Sequence, residues 1–341
     1  MRWSGLATSS LTASLVVLLA PASTVGEQSS PLSPADKQPA YRFGLSVDMV
    51  HLSVTVVNKK NRLVTDLQIK DFQVYEDGIP QQISFFSKAT DSPVDVFLLV
   101  DASGSMDLEH KVANARTAGV QLIHGLDPID RVAVYGFDKD VFELCPFTLD
   151  RKKAVEALQK VEAFGVTAIH DAVARASAII EGQGFGRRAI VVITDGADTA
   201  SQLSVAEAVD AAKRVDLPVY AVRVLSPLED PQHDAYLGES ALRRPAEDAL
   251  QRFAEETGGR LYEASQLGVL RQISLQIREE LKTQYRIGYV PRNAAHDGRF
   301  RRVEVRTKKG AEARTRKGYY AEIAKRGKSS SRVGETTLSS H

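Results

Sequence analysis

The run Val94 to Val100, VDVFLLV, constrains the chain more than any other stretch. Apolar side chains on both faces of a strand need cover on both sides, which places it in the centre of an α/β sheet with helices above and below. The next 180 residues or so repeat the demand. Residues 107–124 show apolar and polar sides at helical spacing, Arg131–Phe137 reads as a strand, and residues 150–161 and 169–181 read as helices. Arg188–Thr194, RAIVVIT, is a second buried strand, followed by a helix over 204–215 and a strand over 217–224. A helix over 246–256, the Thr257-Gly258-Gly259 turn, a strand over 260–262 and a helix over 266–282 complete a βαβ series. The expected core is an α/β sandwich over 91–283. Residues 226–245, with three prolines, read as an irregular insertion in it.

The flanks carry a different period. From Phe43 through Leu45, Val47 and Met49 to Leu52, Val54 and Val56, apolar residues recur every second position, as in strands. Residues 69–78 lead through a turn into a strand that leaves by Asp77-Gly78, and 82–86 form another. After the α/β region, 284–290, 301–306 and 313–318 again alternate and bury one face only. These last strands are too few for a core of their own. They are expected to join the 41–90 strands in one β module, into which the α/β domain is inserted. The division is then 41–90, 91–283 and 284–321, with a flexible basic tail over 322–341.

At the other end, Met1-Arg2-Trp3 and the broken apolar run Leu6–Ala20 read as a signal peptide over 1–22, followed by a turn-rich linker over 23–40. This implies a secreted or periplasmic protein. The apolar run is too short and too polar for a membrane span, so no transmembrane anchor is expected in the mature chain. No cysteine stands at the cleavage site to carry a lipid. Cys145, the single cysteine, excludes an internal disulfide and any cysteine-based metal site, and its apolar surroundings suggest a buried thiol.

Charge sets further limits. The 44 basic and 43 acidic residues nearly balance, and 43% hydrophobic content excludes global disorder. Thirteen basic residues against three acidic ones lie between Arg299 and Arg332. Without a recognition helix or stacking platforms this reads as a solvated face, so no nucleic-acid partner is expected. The oligomeric state stays open.

Chemistry concentrates after the buried strands, where open α/β sheets bind ligands. Asp101-Ala102-Ser103-Gly104-Ser105 comes after the first of them, Thr167 precedes the helix beginning at Ile169, and Asp195 comes after the strand ending at Thr194. Two carboxylates and three hydroxyls form a hard oxygen set suited to Mg²⁺, with Mn²⁺ or Ca²⁺ as alternatives. Helix capping by Asp101 and Ser105 is the plainer reading. Convergence of three loops favours the metal. An acidic side chain of another protein would complete the ion's shell.

The Asp-x-Ser-x-Ser loop of Asp101, Ser103 and Ser105, with Thr167 and Asp195, resembles the metal-ion-dependent adhesion site of the von Willebrand factor type A domain family. That resemblance implies a Rossmann-like three-layer α/β fold, here with a flanking β module formed by the N- and C-terminal segments. It also implies serine and threonine hydroxyls reaching the ion directly, and aspartates reaching it directly or through water. Asp71 to Gly78, and Tyr285 to Tyr289 through Arg316 to Tyr320, further resemble a secreted bacterial group abundant in acidobacteria. The resemblance spans about residues 41–321.

The function expected is divalent-metal-dependent protein binding or adhesion through a partner Asp or Glu. The alternatives are a structural or assembly subunit of a cell-envelope complex and a metal-dependent hydrolase. Catalysis is not expected. Ser103 stands where a phosphatase Asp-x-Asp pair needs its second aspartate, the loop is no Gly-x-Ser-x-Gly elbow, and His170 and Asp171 read as local helix contacts.

Overall fold

The computed structural model describes residues 49–88, 92–181, 187–196, 198–225, 240–264, 267–308 and 310–321. The expected signal peptide, linker, residues 43–48 of the first strand, 226–239 of the insertion and the basic tail lie outside the described residues.

The α/β body is built on six strands: β5 (Val94–Asp101), β6 (Arg131–Phe137), β7 (Val141–Thr148), β8 (Arg187–Thr194), β9 (Val219–Val224) and β10 (Arg260–Ala264), in the order β10-β9-β8-β5-β6-β7. All are parallel except β7, which runs antiparallel to β6 along one edge. Alternation along β5 divides the core. Val96, Leu98 and Val100 pack with Ala118 and Leu122 of α1 (Lys111–Gly125), Leu158 of α2 (Arg151–Leu158) and Ile273 and Ile277 of α6 (Leu267–Thr283). Phe97 and Leu99 face the other way, onto Val173 and Ala176 of α3 (Ile169–Glu181), Val209 of α4 (Val205–Arg214) and Phe253 of α5 (Ser240–Thr257). Each fully buried side chain of this kind contributes about 1.5–3 kcal/mol, so two-sided burial of one strand orders all three layers. This is the Rossmann-like three-layer architecture.

Helix starts are set by caps. Asp150 accepts from the Lys153 N–H at 3.1 Å to begin α2. Ser204 and Glu207 form a reciprocal capping box ahead of α4. Four elements differ from expectation, one of them the strand expected over 313–318, which is split into Glu312–Arg314 and Gly318–Tyr320 in different sheets. The helix expected from 107 opens as a 3-10 segment, Gly104–His110, before α1. α5 begins at Ser240 rather than 246 and so takes in the end of the expected insertion. β7 is not foreshadowed by the residue pattern, because Pro146 and two register shifts break its alternation. Cys145 on β7 is buried.

Two four-stranded sheets form the β module. One has the order β13 (Glu312–Arg314), β1 (Val50–Val57), β11 (Tyr285–Tyr289) and β4 (Ile83–Lys88). The other is β14 (Gly318–Tyr320), β12 (Phe300–Thr307), β2 (Phe72–Glu76) and β3 (Ile79–Gln81). Leu52, Val54, Phe72, Val74, Ile287 and Val305 pack between them. Buried Glu76 accepts from the Tyr289 and Tyr319 hydroxyls at 2.8 and 2.9 Å, both on Oε2, which ties the two sheets.

The module meets the α/β body at the N-terminal ends of the parallel strands. Arg314 Nη2 lies 2.7 Å from Glu280 Oε2 on α6 as a close ion pair without hydrogen-bond alignment. Arg316 donates to the carbonyls of Lys213 and His51 at 2.5 and 2.7 Å and pairs with Asp216 at 3.4 Å. Gly258, at φ +87°, is required there, because a Cβ would stand 2.7 Å from the Thr315 backbone.

Candidate metal centre

The opposite ends of the strands carry the candidate site. β5 lies between β8 and β6, and the chain crosses from one side of it to the other. Asp101 ends β5 and Asp195 comes directly after β8, so both stand at this switch point, where strand polarity opens a crevice.

Asp101 is fully buried. Its Oδ1 accepts the Ser103 N–H at 2.8 Å and its Oδ2 accepts the Thr194 hydroxyl at 2.5 Å. The same Thr194 oxygen accepts the Gly196 N–H at 3.0 Å, so its proton is directed at Asp101. Burial pushes the Asp101 carboxyl up to about 6. The Ser103 and Thr194 hydrogen bonds oppose that rise, and the nearby Asp195 charge adds to it. The Ser103 and Ser105 hydroxyls stand 3.2 Å apart within the same loop.

Backbone bonds fasten the Thr167 segment to this loop. Phe164 N–H donates to the Ala102 carbonyl at 2.6 Å and Gly104 N–H to the Gly165 carbonyl at 3.0 Å. Gly165 has φ +85° and would place a Cβ 3.3 Å from Asp138 Oδ2, so a side chain is doubly disfavoured. The Thr167 N–H donates to Thr199 Oγ1 at 3.0 Å, and its carbonyl accepts from the Thr199 and Ala200 N–H groups at 2.9 Å each. Among the described residues no hydrogen bond engages the Thr167 hydroxyl itself. Asp195 Oδ2 lies 3.3 Å from Lys111 Nζ, with side-chain exposures of 5% and 7%. Arg223 Nε donates to the Asp195 carbonyl at 3.2 Å, and its charge is met by Glu263 at 3.0 Å.

Asp101, Ser103 and Ser105 thus share one loop, joined to the Thr167 segment by two backbone bonds and to the Asp195 segment through Thr194. Their chemistry fits a small, hard divalent ion: carboxylate and hydroxyl oxygens, with no thiol or imidazole in the set. Among the described residues no three His, Cys, Asp or Glu side chains cluster for a metal. An ion held there would take most of its shell from hydroxyls and water. Two contributors escape a reading of the chain. Thr194 is visible as the end of a strand, but its bond to Asp101 spans 93 residues. Lys111 reaches Asp195 across 84 residues, with no local charge pattern to announce it. His170 and Asp171 make contacts distant in the chain, not the local helix contacts expected: His170 Nδ1 lies 2.9 Å from the Leu203 carbonyl, its ring packs against Phe253, and Asp171 accepts the Gln202 and Leu203 N–H groups at 3.0 and 2.9 Å.

Residues 96–197 match the family model of the von Willebrand factor type A domain. That stretch runs from within β5 to just past Asp195 and contains all five candidate ligands. The α/β body has the von Willebrand factor A-type fold. Curated proteins give no match. Among solved structures, BatB from Bacteroides thetaiotaomicron is 22% identical, covering 56% of this chain and 100% of its own, at a TM-score of 0.43. A von Willebrand factor type A protein from Catenulispora acidiphila is 14% identical over 78% of this chain and 71% of its own, at 0.48. The vWF domain of the type V pili tip protein Mfa5 from Porphyromonas gingivalis is 13% identical over 56% and 96%, at 0.44. Likenesses this distant bring neither partner nor role to the chain, and none reaches the acidobacterial group. Among the described residues no helix is long and apolar enough to cross a membrane, which says nothing of β-barrels.

Proposed function

We propose that the chain is a divalent-ion-dependent protein-binding module, secreted or periplasmic, that captures a partner through an Asp or Glu carboxylate at the Asp101 centre. The observation that carries this reading is the joining, at the switch point, of three segments bearing only hard oxygen donors. Asp101, Ser103, Ser105, Thr167 and Asp195 would hold the ion, Mg²⁺ in preference to Mn²⁺ or Ca²⁺. When bound, the ion supplies a Lewis-acidic position that a partner carboxylate can occupy.

The chain's own residues prepare that position. The Ser103 N–H and the Thr194 hydroxyl fix both oxygens of Asp101, so little order remains to be imposed on binding. Among the described residues no hydrogen bond commits the Thr167 hydroxyl. Phe164, 81% exposed, and half-exposed Val166 stand in the loop that carries Thr167 and offer apolar contact around a bound acidic residue. Nothing in the arrangement calls for bond cleavage. His170, the histidine nearest Thr167 in sequence, is turned to a backbone carbonyl.

Selection of displayed random heptapeptides on the full chain in Mg²⁺, with elution by a chelator, tests the reading. The expected pool carries an acidic residue at one fixed position and fails to bind Asp101→Ala. Peptides without an acidic residue, or binding that survives the chelator, would contradict it.

A further inference from the structure

The first amides of α3 find their acceptors outside the helix. Ala168, the residue before it, has no side-chain oxygen to cap with. Asp198 Oδ1 accepts the Ile169 N–H at 2.8 Å, and Ser201 Oγ accepts the His170 and Asp171 N–H groups at 3.0 and 3.3 Å. The Ser201 hydroxyl in turn donates to Asp198 Oδ1 at 2.6 Å. The Thr167 backbone is met from the same stretch. Thr199 Oγ1 accepts its N–H at 3.0 Å and donates to its carbonyl at 3.4 Å, and the Thr199 and Ala200 N–H groups reach that carbonyl at 2.9 Å. This stretch follows Asp195 on the connection from β8 to α4, so its bonds fix two of the candidate ligands, Thr167 and Asp195, relative to each other.

Resting on the proposed metal centre, we propose that Thr199 is a positioning residue for Thr167: braced by Asp198 and Ser201, it takes over the backbone bonds of Thr167 and leaves the Thr167 hydroxyl for the ion. A threonine hydroxyl ordinarily bonds to backbone close by, in caps and turns. Thr167 stands two residues ahead of α3 and is 3% exposed, where such a bond would form. Here that work is done from elsewhere. Asp198 and Ser201 cap α3, and Thr199 and Ala200 engage both backbone groups of Thr167. The hydroxyl is therefore not drawn into capping, and the backbone that carries it is fixed before any ion arrives. Order already present in the free protein need not be imposed on binding. Removing the Thr199 hydroxyl leaves the Thr167 N–H without its acceptor and loosens the place of the ligand.

The test uses the full chain with Thr199→Val, Thr199→Ser and Asp198→Ala, beside Asp150→Ala, which loses the cap of α2 far from Thr167 in the chain. In Mg²⁺ calorimetry Thr199→Val is expected to bind at least about tenfold more weakly than wild type, roughly 1.4 kcal/mol. Thr199→Ser, which keeps Oγ1, should stay within about threefold of wild type. Asp150→Ala should lower the melting midpoint and bind Mg²⁺ as wild type does, which separates positioning from a general loss of stability. In chelator, the Thr167 amide should exchange with solvent faster in Thr199→Val than in wild type. Mg²⁺ affinity unmoved in Thr199→Val while Asp101→Ala abolishes it, no recovery in Thr199→Ser, or unchanged exchange at Thr167 overturns the positioning role and leaves the metal centre standing. No Mg²⁺ binding by wild type overturns the centre and the positioning role together. If Thr199→Val does not fold, Asp198→Ala, which frees the Ile169 N–H, carries the comparison, and an affinity equal to wild type there overturns the role.

Discussion

At the N-terminal ends of the parallel strands, Arg314 faces Glu280, Arg316 spans Asp216 and two backbone carbonyls, and the Tyr320 hydroxyl reaches Asp210 at 2.6 Å. At the C-terminal ends, a strand length or about 25 Å away, Asp101 and Asp195 are met by hydroxyls, an amide and one lysine. Both ends hold buried charge in the same sheet. The difference lies in where the partners come from. At the first end cation and anion belong to different parts of the fold, so pairing them joins the β module to the α/β body. At the second, the two carboxylates and the groups that meet them all lie within the α/β body, so they join nothing to it.

Breaking the joint should produce the largest effect. Glu280→Ala leaves Arg314 and Arg260, 2.7 and 3.6 Å from that carboxylate, facing an uncompensated buried site. Loss of one partner of a buried pair costs about 3–5 kcal/mol, to be read from urea unfolding. Divalent-ion affinity of the remaining folded protein should not move, since the centre lies at the opposite ends of the strands. A parallel loss of affinity would show that the two ends are not independent.

A smaller effect is expected at the centre itself. Thr194→Val removes the hydroxyl that holds Asp101 and also a partner of the Gly196 N–H. A hydrogen bond to a charged group contributes about 1.5–3 kcal/mol. Mg²⁺ affinity should fall several-fold while α1 and α3 stay helical by circular dichroism. Unchanged affinity would show that Thr194 does not support the centre.

The smallest effect concerns pH and belongs to the joint. His51, whose carbonyl accepts from Arg316, has a pKa held below its ordinary value by burial first and then by Arg286 and Arg316, with Asp216 opposing. The unfolded chain therefore takes up this proton first as pH falls. The His51 contribution is complete above about pH 6.5 and is lost as pH drops from there through the lowered folded value. Urea midpoints should fall less steeply over that window in His51→Gln than in wild type. Identical slopes would mean that another group governs the acid limb.

Much of this was legible in local pattern. VDVFLLV demanded cover on two faces, and the structure supplies it with α1, α2 and α6 on one side and α3, α4 and α5 on the other. Asp150 and Ser204 marked helix starts because capping is a local interaction between neighbours in the chain. β7 was hidden by Pro146 and its shifted register, and α5 by Pro245, which reads as a breaker yet lies within the helix. At the centre, Asp101 and Asp195 stood out in the sequence by their place at strand ends, and Thr167 by its place just before a helix. Thr194 and Lys111 act through bonds spanning more than 80 residues, and such pairings leave no trace in spacing.

Whether Asp101 organises a divalent-ion centre is decided most directly by calorimetric titration of the full chain with Mg²⁺, Mn²⁺ and Ca²⁺ beside Asp101→Ala. Such a centre requires saturable one-site binding by wild type and at least about a hundredfold loss in the variant, roughly 2.7 kcal/mol, with secondary structure retained. Equal binding by the two proteins would contradict it.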